Sequence, residues 1–207
     1  DTYRIDRRYA EYFILPKGIR VLKDLGSLNT ADLKNLYGDK TASPQFIAHS
    51  LGIFDLYNLF RRLYPDTFSF YTKTELAGRD DTPPQLPDAH LKTKDAATER
   101  RFYVDSVDDL AGLLFVKRKI TSYIKHCDSV EWQEIGKEYP DVLLVVERKS
   151  SEKTLHKYIE KKLSYSGVDM QFYTTTRQAL AEAKPSSDVI WRLVGEDEPT
   201  TLGILTK

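Results

Sequence analysis

Apolar and polar residues follow two rhythms along this chain, and the change between them falls near Pro65. Ahead of that point the spacing is helical. Phe46, Ile47, Leu51, Phe54, Leu56, Tyr57 and Phe60 recur at three- and four-residue steps, so the stretch opened by Ser43-Pro44 predicts an amphipathic helix to about Leu63. Two shorter helices are expected before it. One runs from Ile19 to Leu25 and stops at Gly26; the other runs from Ala31 to Tyr37, capped by Asn29 or Thr30 and closed by Gly38. The apolar run Tyr12 to Leu15, stopped by Pro16 and Gly18, reads as a short strand.

Beyond Pro65 the period drops to two. Phe68 to Leu76 is rich in β-formers and predicts a strand, followed by a Pro/Asp-rich loop over Gly78 to Pro87. A second strand covers Asp88 to Leu91, a polar hairpin-like stretch Lys92 to Glu99, and a third strand Arg100 to Val107. Asp108 to about Cys127 is helical, with Leu110, Leu113, Val116, Ile120 and Tyr123 available to cover a sheet. Val142 to Glu147 is nearly all apolar and β-branched, which suits a central strand buried on both faces. A helix from Glu152 to about Leu163, capped by Ser150 or Ser151 and ended at Gly167, a strand Asp169 to Tyr173, a helix Thr176 to Ala183 and a strand Val189 to Val194 complete the pattern ahead of a polar tail. Helices first, then strands alternating with helices, predict an α/β fold with a mixed central sheet joined by right-handed crossovers. The expected division is a helical region 1–64 and an α/β domain 65–207.

The remaining bulk properties narrow the setting. An apolar share of 41% over 207 residues is enough for a packed core. The 31 basic and 31 acidic residues cancel, so affinity for a polyanion has to come from local clustering. A single cysteine, Cys127, excludes an internal disulfide, and no Cys/His spacing suits structural zinc. No apolar run approaches the roughly 20 residues that cross a bilayer, and the charged N-terminus is unlike a signal peptide. A cytoplasmic protein without a membrane partner or a nucleotide cofactor is expected. The missing initiator Met predicts that the chain begins inside a larger protein with a domain upstream.

The candidate chemistry lies where the predicted sheet would gather polar groups: Glu75 near the end of the first strand, Asp88 at the start of the second, Asp105 in the third, and Lys119 on the next helix. Converging carboxylates make a hard oxygen site for Mg²⁺ or Mn²⁺, with Asp88 and Asp105 as ligands, that can activate water; a lysine beside it would orient that water and offset negative charge. Each residue also has a plainer reading. Asp88 in Pro87-Asp88 suits a turn, and Glu75 an exposed strand end. Asp105 among Phe102, Tyr103 and Val104 needs a partner unless it faces water. Asp108-Asp109 simply complements a helix start. His49 reads as a hydrogen-bonded structural histidine, and His126-Cys127 as a helix end whose adjacent side chains point apart. Among the basic residues of the second half, Arg118, Arg148, Lys149 and Lys153 are the candidate nucleic-acid contacts, the middle two directly after the buried strand.

Pro87-Asp88, the strand Phe102-Tyr103-Val104-Asp105, and the helix with Lys117, Arg118, Lys119 and Tyr123 resemble the replication-relaxation family of bacterial plasmid and mobile-element proteins. That family is similar to PD-(D/E)XK nucleases and carries a winged helix-turn-helix in front. The resemblance covers most of residues 10 to 165. It implies a nuclease-like core behind a winged-helix remnant, DNA as partner, and a site built from Glu75, Asp88, Asp105 and Lys119. One departure bears on activity: the third strand should read acid, any residue, lysine, and Asp105-Ser106-Val107 has valine in the last place. Lys119 could replace that lysine by pointing back from the following helix; Lys117 lies on another face. Two readings stand: a Mg²⁺-dependent DNA endonuclease, and a catalytically inactive module of the same fold used for DNA binding or for forming a homodimer.

Overall fold

The computed structural model describes residues 14–26, 42–94, 99–107, 112–185 and 188–204. The helix expected over Ala31 to Tyr37, the first half of the first apolar run, the middle of the Lys92 to Glu99 stretch and the start of the helix at Asp108-Asp109 lie outside these residues; Ile14 and Leu15, the other half of that run, are not in a strand. The chain divides into two compact units, 1–48 and 49–207. The division falls earlier than residue 64, because the second part of the long helix carries Leu56, Phe60 and Leu63 into the core of the sheet.

In the first unit, helix α1 spans Pro16–Asp24, starting earlier than its apolar spacing suggested because proline suits the first helical turn. Helix α2, Pro44–Leu63, begins in the first unit and has most of its length in the second; it opens as expected, with the Ser43 hydroxyl accepting from the Phe46 N–H at 3.2 Å.

The α/β unit continues with β1 (Phe68–Thr72), a short helix α3 (Lys73–Leu76), β2 (Ala89–Thr93), β3 (Arg101–Val107), α4 (Gly112–Cys127), α5 (Val130–Ile135) and β4 (Asp141–Val146). Helix α6 (Lys149–Ser166), β5 (Phe172–Thr176), α7 (Arg177–Glu182), β6 (Trp191–Leu193) and β7 (Pro199–Thr200) follow. All seven strands form one sheet in chain order. β1, β2 and β3 are an antiparallel meander, β3, β4 and β5 run parallel, and β6 and β7 return antiparallel. This is the mixed α/β sheet the alternation predicts.

Several elements differ from the sequence pattern for local reasons. The first strand stops at Thr72, because Thr72 and Glu75 close a helix start between them. α6 begins at Lys149, with Ser150 and Ser151 inside it and Arg148 at the N-cap. β5 extends to Thr176, since Thr174, Thr175 and Thr176 are all buried, and the Thr176 hydroxyl caps α7 by accepting from Ala179 N–H at 3.1 Å. α5 escaped the pattern; Ser129 caps it, and Gly136 at φ 66° ends it in the left-handed region that glycine enters at low cost.

Two apolar layers sandwich the sheet. Leu56, Phe60 and Leu63 of α2 and Leu180 of α7 cover one face with Phe102, Val104, Leu143 and Trp191. Val116, Ile120 and Ile124 of α4 and Leu155 and Ile159 of α6 cover the other with Val142, Leu144 and Val146. β4 is therefore buried on both sides, and its run Val142 to Val146 is apolar without alternation. At the far end Trp191 Nε1 donates to the Tyr64 hydroxyl at 2.9 Å, and that hydroxyl donates to the buried Asp188 at 2.9 Å. Among the described residues no helix is long and apolar enough to cross a membrane.

Candidate functional site

Period-two geometry brings the two aspartates together. Ala89 pairs with Val104, so Asp88 faces Asp105 one step further along the antiparallel pair, at the carboxyl end of β3. The backbones lock this in both directions: Asp88 N–H donates to Asp105 Oδ1 at 3.0 Å, and Ser106 N–H donates to Asp88 Oδ2 at 3.0 Å. Strand alternation puts Asp105 on the same face as Tyr103 and Val107, the face that α4 covers.

Lys119 and Tyr123 stand four residues apart, one above the other on the buried side of α4. Lys119 Nζ donates to Asp88 Oδ1 at 2.9 Å and makes an ion pair with Asp105 Oδ1. The Tyr123 hydroxyl donates to Asp105 Oδ2 at 2.8 Å. From the rim, His49 Nε2 of α2 lies 3.5 Å from Asp88 Oδ1. Asp88, Asp105 and Lys119 are only 8%, 3% and 5% exposed, so the cluster is closed to solvent except beside the half-exposed His49.

The electrostatics follow from that burial. For Asp88 burial is the largest influence and raises the pKa, but the His49 hydrogen bond and the Lys119 charge together outweigh it and hold the group at about 2. For Asp105 burial prevails and raises the pKa, with the Asp88 charge adding to it against Lys119 and Tyr123. Burial works against the Lys119 ammonium, yet two carboxylates beside it raise its pKa. Tyr123 is pushed well above the ordinary phenol, first by burial and then by Asp105.

The structure thus unites three of the four residues singled out for chemistry. Val107, where the resemblance puts a lysine, packs into the apolar layer with Val116 and Ile120, and the ammonium beside the two aspartates comes from α4. Glu75 takes another place. It is exposed, and its carboxylate accepts from the Thr72 N–H at 2.7 Å and the Thr72 hydroxyl at 2.8 Å, as a helix cap. Arg118, Arg148, Lys149 and Lys153 are exposed on α4 and around the start of α6, and none is among the groups that meet Lys119. Cys127 is buried, and burial pushes its thiol up to about 11, which leaves it a poor nucleophile.

Some groups at the site have no strong signal in the sequence. Tyr123 stood in the sequence as a residue available to cover the sheet, and nothing tied His49 to Asp88 across the intervening chain. Arg177, at the start of α7, was equally silent. Its guanidinium donates to Ser106 Oγ at 3.0 Å and to Glu147 Oε1 at 2.8 Å, next to the aspartate pair.

A divalent cation needs several free oxygens facing one point. Here the four carboxylate oxygens of Asp88 and Asp105 already accept from Lys119, Tyr123 and two backbone N–H groups, and the ammonium occupies the point the two aspartates share. As arranged, this donor set does not fit Mg²⁺ or Mn²⁺. Among the described residues no three His, Cys, Asp or Glu side chains are placed to hold a metal ion.

The fold and site define an α/β protein with a mixed sheet and a buried Asp–Lys–Asp cluster at the carboxyl end of its parallel strands. Compared with protein-family models, curated protein sequences and solved structures, the chain matches none.

Proposed function

We propose that this chain is a DNA-binding module of a bacterial plasmid or mobile element, with a PD-(D/E)XK-like core whose former catalytic position now serves as an internal brace. The observation that carries the reading is Lys119 set between Asp88 and Asp105, with every carboxylate oxygen committed and the cluster closed to solvent except beside His49. A phosphodiester cannot approach groups so little exposed without opening α4. A buried ion pair of this kind is weak evidence of net stabilisation, but breaking it is costly, so it fixes the register of β2 on β3 and of α4 on both.

The second reading is the metal-dependent endonuclease, favoured by one observation. Two of the three acids that the resemblance assigns to chemistry, Asp88 and Asp105, meet at Lys119, the residue that would stand in for the lysine absent at Val107. Supercoiled plasmid incubated with the purified chain and Mg²⁺ or Mn²⁺ separates the two. The binding module gives retarded plasmid that stays supercoiled, with affinity falling steeply in salt. Nicking that Asp105→Ala abolishes establishes the nuclease instead.

A further inference from the structure

Helix α6 presents Lys149, Lys153, Lys157 and Lys161 at strict four-residue spacing, all exposed. Its opposite face buries Glu152, Leu155 and Ile159. Four residues advance about 6 Å along a helix, so the ammonium stems form a row roughly 18 Å long. Among the described residues none of these four pairs with a carboxylate, and Glu160 is the one acid on the exposed face.

Two further features set this row apart from an ordinary solvated face. Helix starts gather acids, which complement the exposed N–H groups and the dipole. α6 does the opposite, with Lys149 first in the helix and Lys153 in the next turn. Its first-turn acid, Glu152, is buried and accepts the Thr174 hydroxyl at 2.7 Å, so it does not face these lysines. Such a local conflict persists where an external anion relieves it. Beside the row, Tyr158 holds two more cations in place: Lys117 Nζ stands 5.2 Å and Lys162 Nζ 5.7 Å from its ring centre. The ring is itself anchored, its hydroxyl 2.8 Å from Thr121 Oγ1 and 3.2 Å from the Lys117 carbonyl.

We propose that the lysine row of α6, flanked by Lys117 and Lys162, is the surface on which the phosphate backbone of duplex DNA lies. The proposal rests on the DNA-binding reading and names where that binding occurs. One strand of a duplex offers a phosphate about every 3.4 Å of axis, so the row spans about five of them. Lysines act here as point charges on phosphate, so this face positions DNA without reading bases. An anionic membrane is the poorer fit. A helix lying in a membrane interface sets apolar side chains beside its lysines, whereas the exposed neighbours here include Ser150, Thr154, Glu160 and Ser164.

The test measures binding of the whole chain to a fluorescent duplex of arbitrary sequence over a range of salt concentrations. Four phosphate contacts predict a slope of log K against log salt of roughly −3.6. The double variant K153Q/K157Q should make it shallower by about 2 and weaken binding alike for unrelated sequences, at an unchanged melting temperature. The control K137Q/K184Q, at exposed lysines elsewhere, should leave the slope alone. Duplex binding whose slope K153Q/K157Q does not alter overturns the row while leaving the DNA-binding reading in place. No binding at low salt, or binding only to phosphatidylglycerol vesicles, overturns both.

Discussion

The hydroxyl of Tyr123 sits 2.8 Å from Oδ2 of Asp105, one helical turn along α4 from Lys119. One helix thus supplies both side-chain donors to a single buried carboxylate, and the third comes from the backbone of Asp88. Tyr123→Phe removes one donor without opening space and leaves a buried oxygen unpaired. It should cost about 1–3 kcal/mol in urea denaturation, with the fold retained.

Lys119 is the keystone of the same arrangement. Lys119→Met leaves Asp88 and Asp105 buried against each other without their cation, and the expected loss is about 3–5 kcal/mol. The triple variant D88N/D105N/K119M removes all three charges at nearly constant volume and should recover most of that loss. Equilibrium denaturation of the two variants side by side checks this. A triple variant no more stable than K119M would show that the charges were not the cause.

The rim histidine is tied to the acid behaviour of Asp88. The hydrogen bond from His49 is the largest influence holding that pKa down against burial. In His49→Ala the Asp88 midpoint, followed by carboxyl NMR, should move upward from about 2. An unmoved midpoint would leave the lowering to Lys119 alone.

Stability against pH should fall on both sides. Burial holds His90 down at about 4 in the folded chain. A depressed histidine contributes stability that is present above its unfolded pKa of about 6.5 and lost as pH falls through the folded value. Asp88 continues the loss between about pH 4 and 2, partly offset by Asp105, whose raised pKa favours the folded state as acid is added. On the alkaline side Lys119, Tyr123, Tyr64 and Tyr139 are all raised, so the stability they contribute is present below about pH 10 and lost above it. Melting temperature against pH should trace this dome, and His90→Asn should flatten the limb between pH 6.5 and 4 while leaving the limb below it.

Much of the sheet was legible because burial writes itself into composition. The unbroken run Val142 to Val146 marks a strand covered on both faces, and the acid among Phe102 to Val104 marks a buried group in need of partners. The reach of Lys119 from the next helix was readable too, since helical geometry allows it. What was hidden depends on contacts distant in sequence: His49 meeting Asp88, Arg177 meeting Ser106, or the threonines of β5 being buried rather than opening a helix. Glu75 is the instructive case. The signature Thr72-x-x-Glu75 is a capping box, and it outweighs the β-propensity of the residues ahead of it.

The Lys119 ammonium fills the place between Asp88 and Asp105 that a metal would need. Melting the whole chain with and without millimolar Mn²⁺ tests this most directly, with Asp105→Asn in parallel. An ion at a hundred times its Kd adds about 2.7 kcal/mol, which for a chain of this size raises the melting temperature by roughly 5–10 °C. No rise is expected in the unmodified chain; a rise of that size that Asp105→Asn abolishes would show that an ion takes the place of the ammonium.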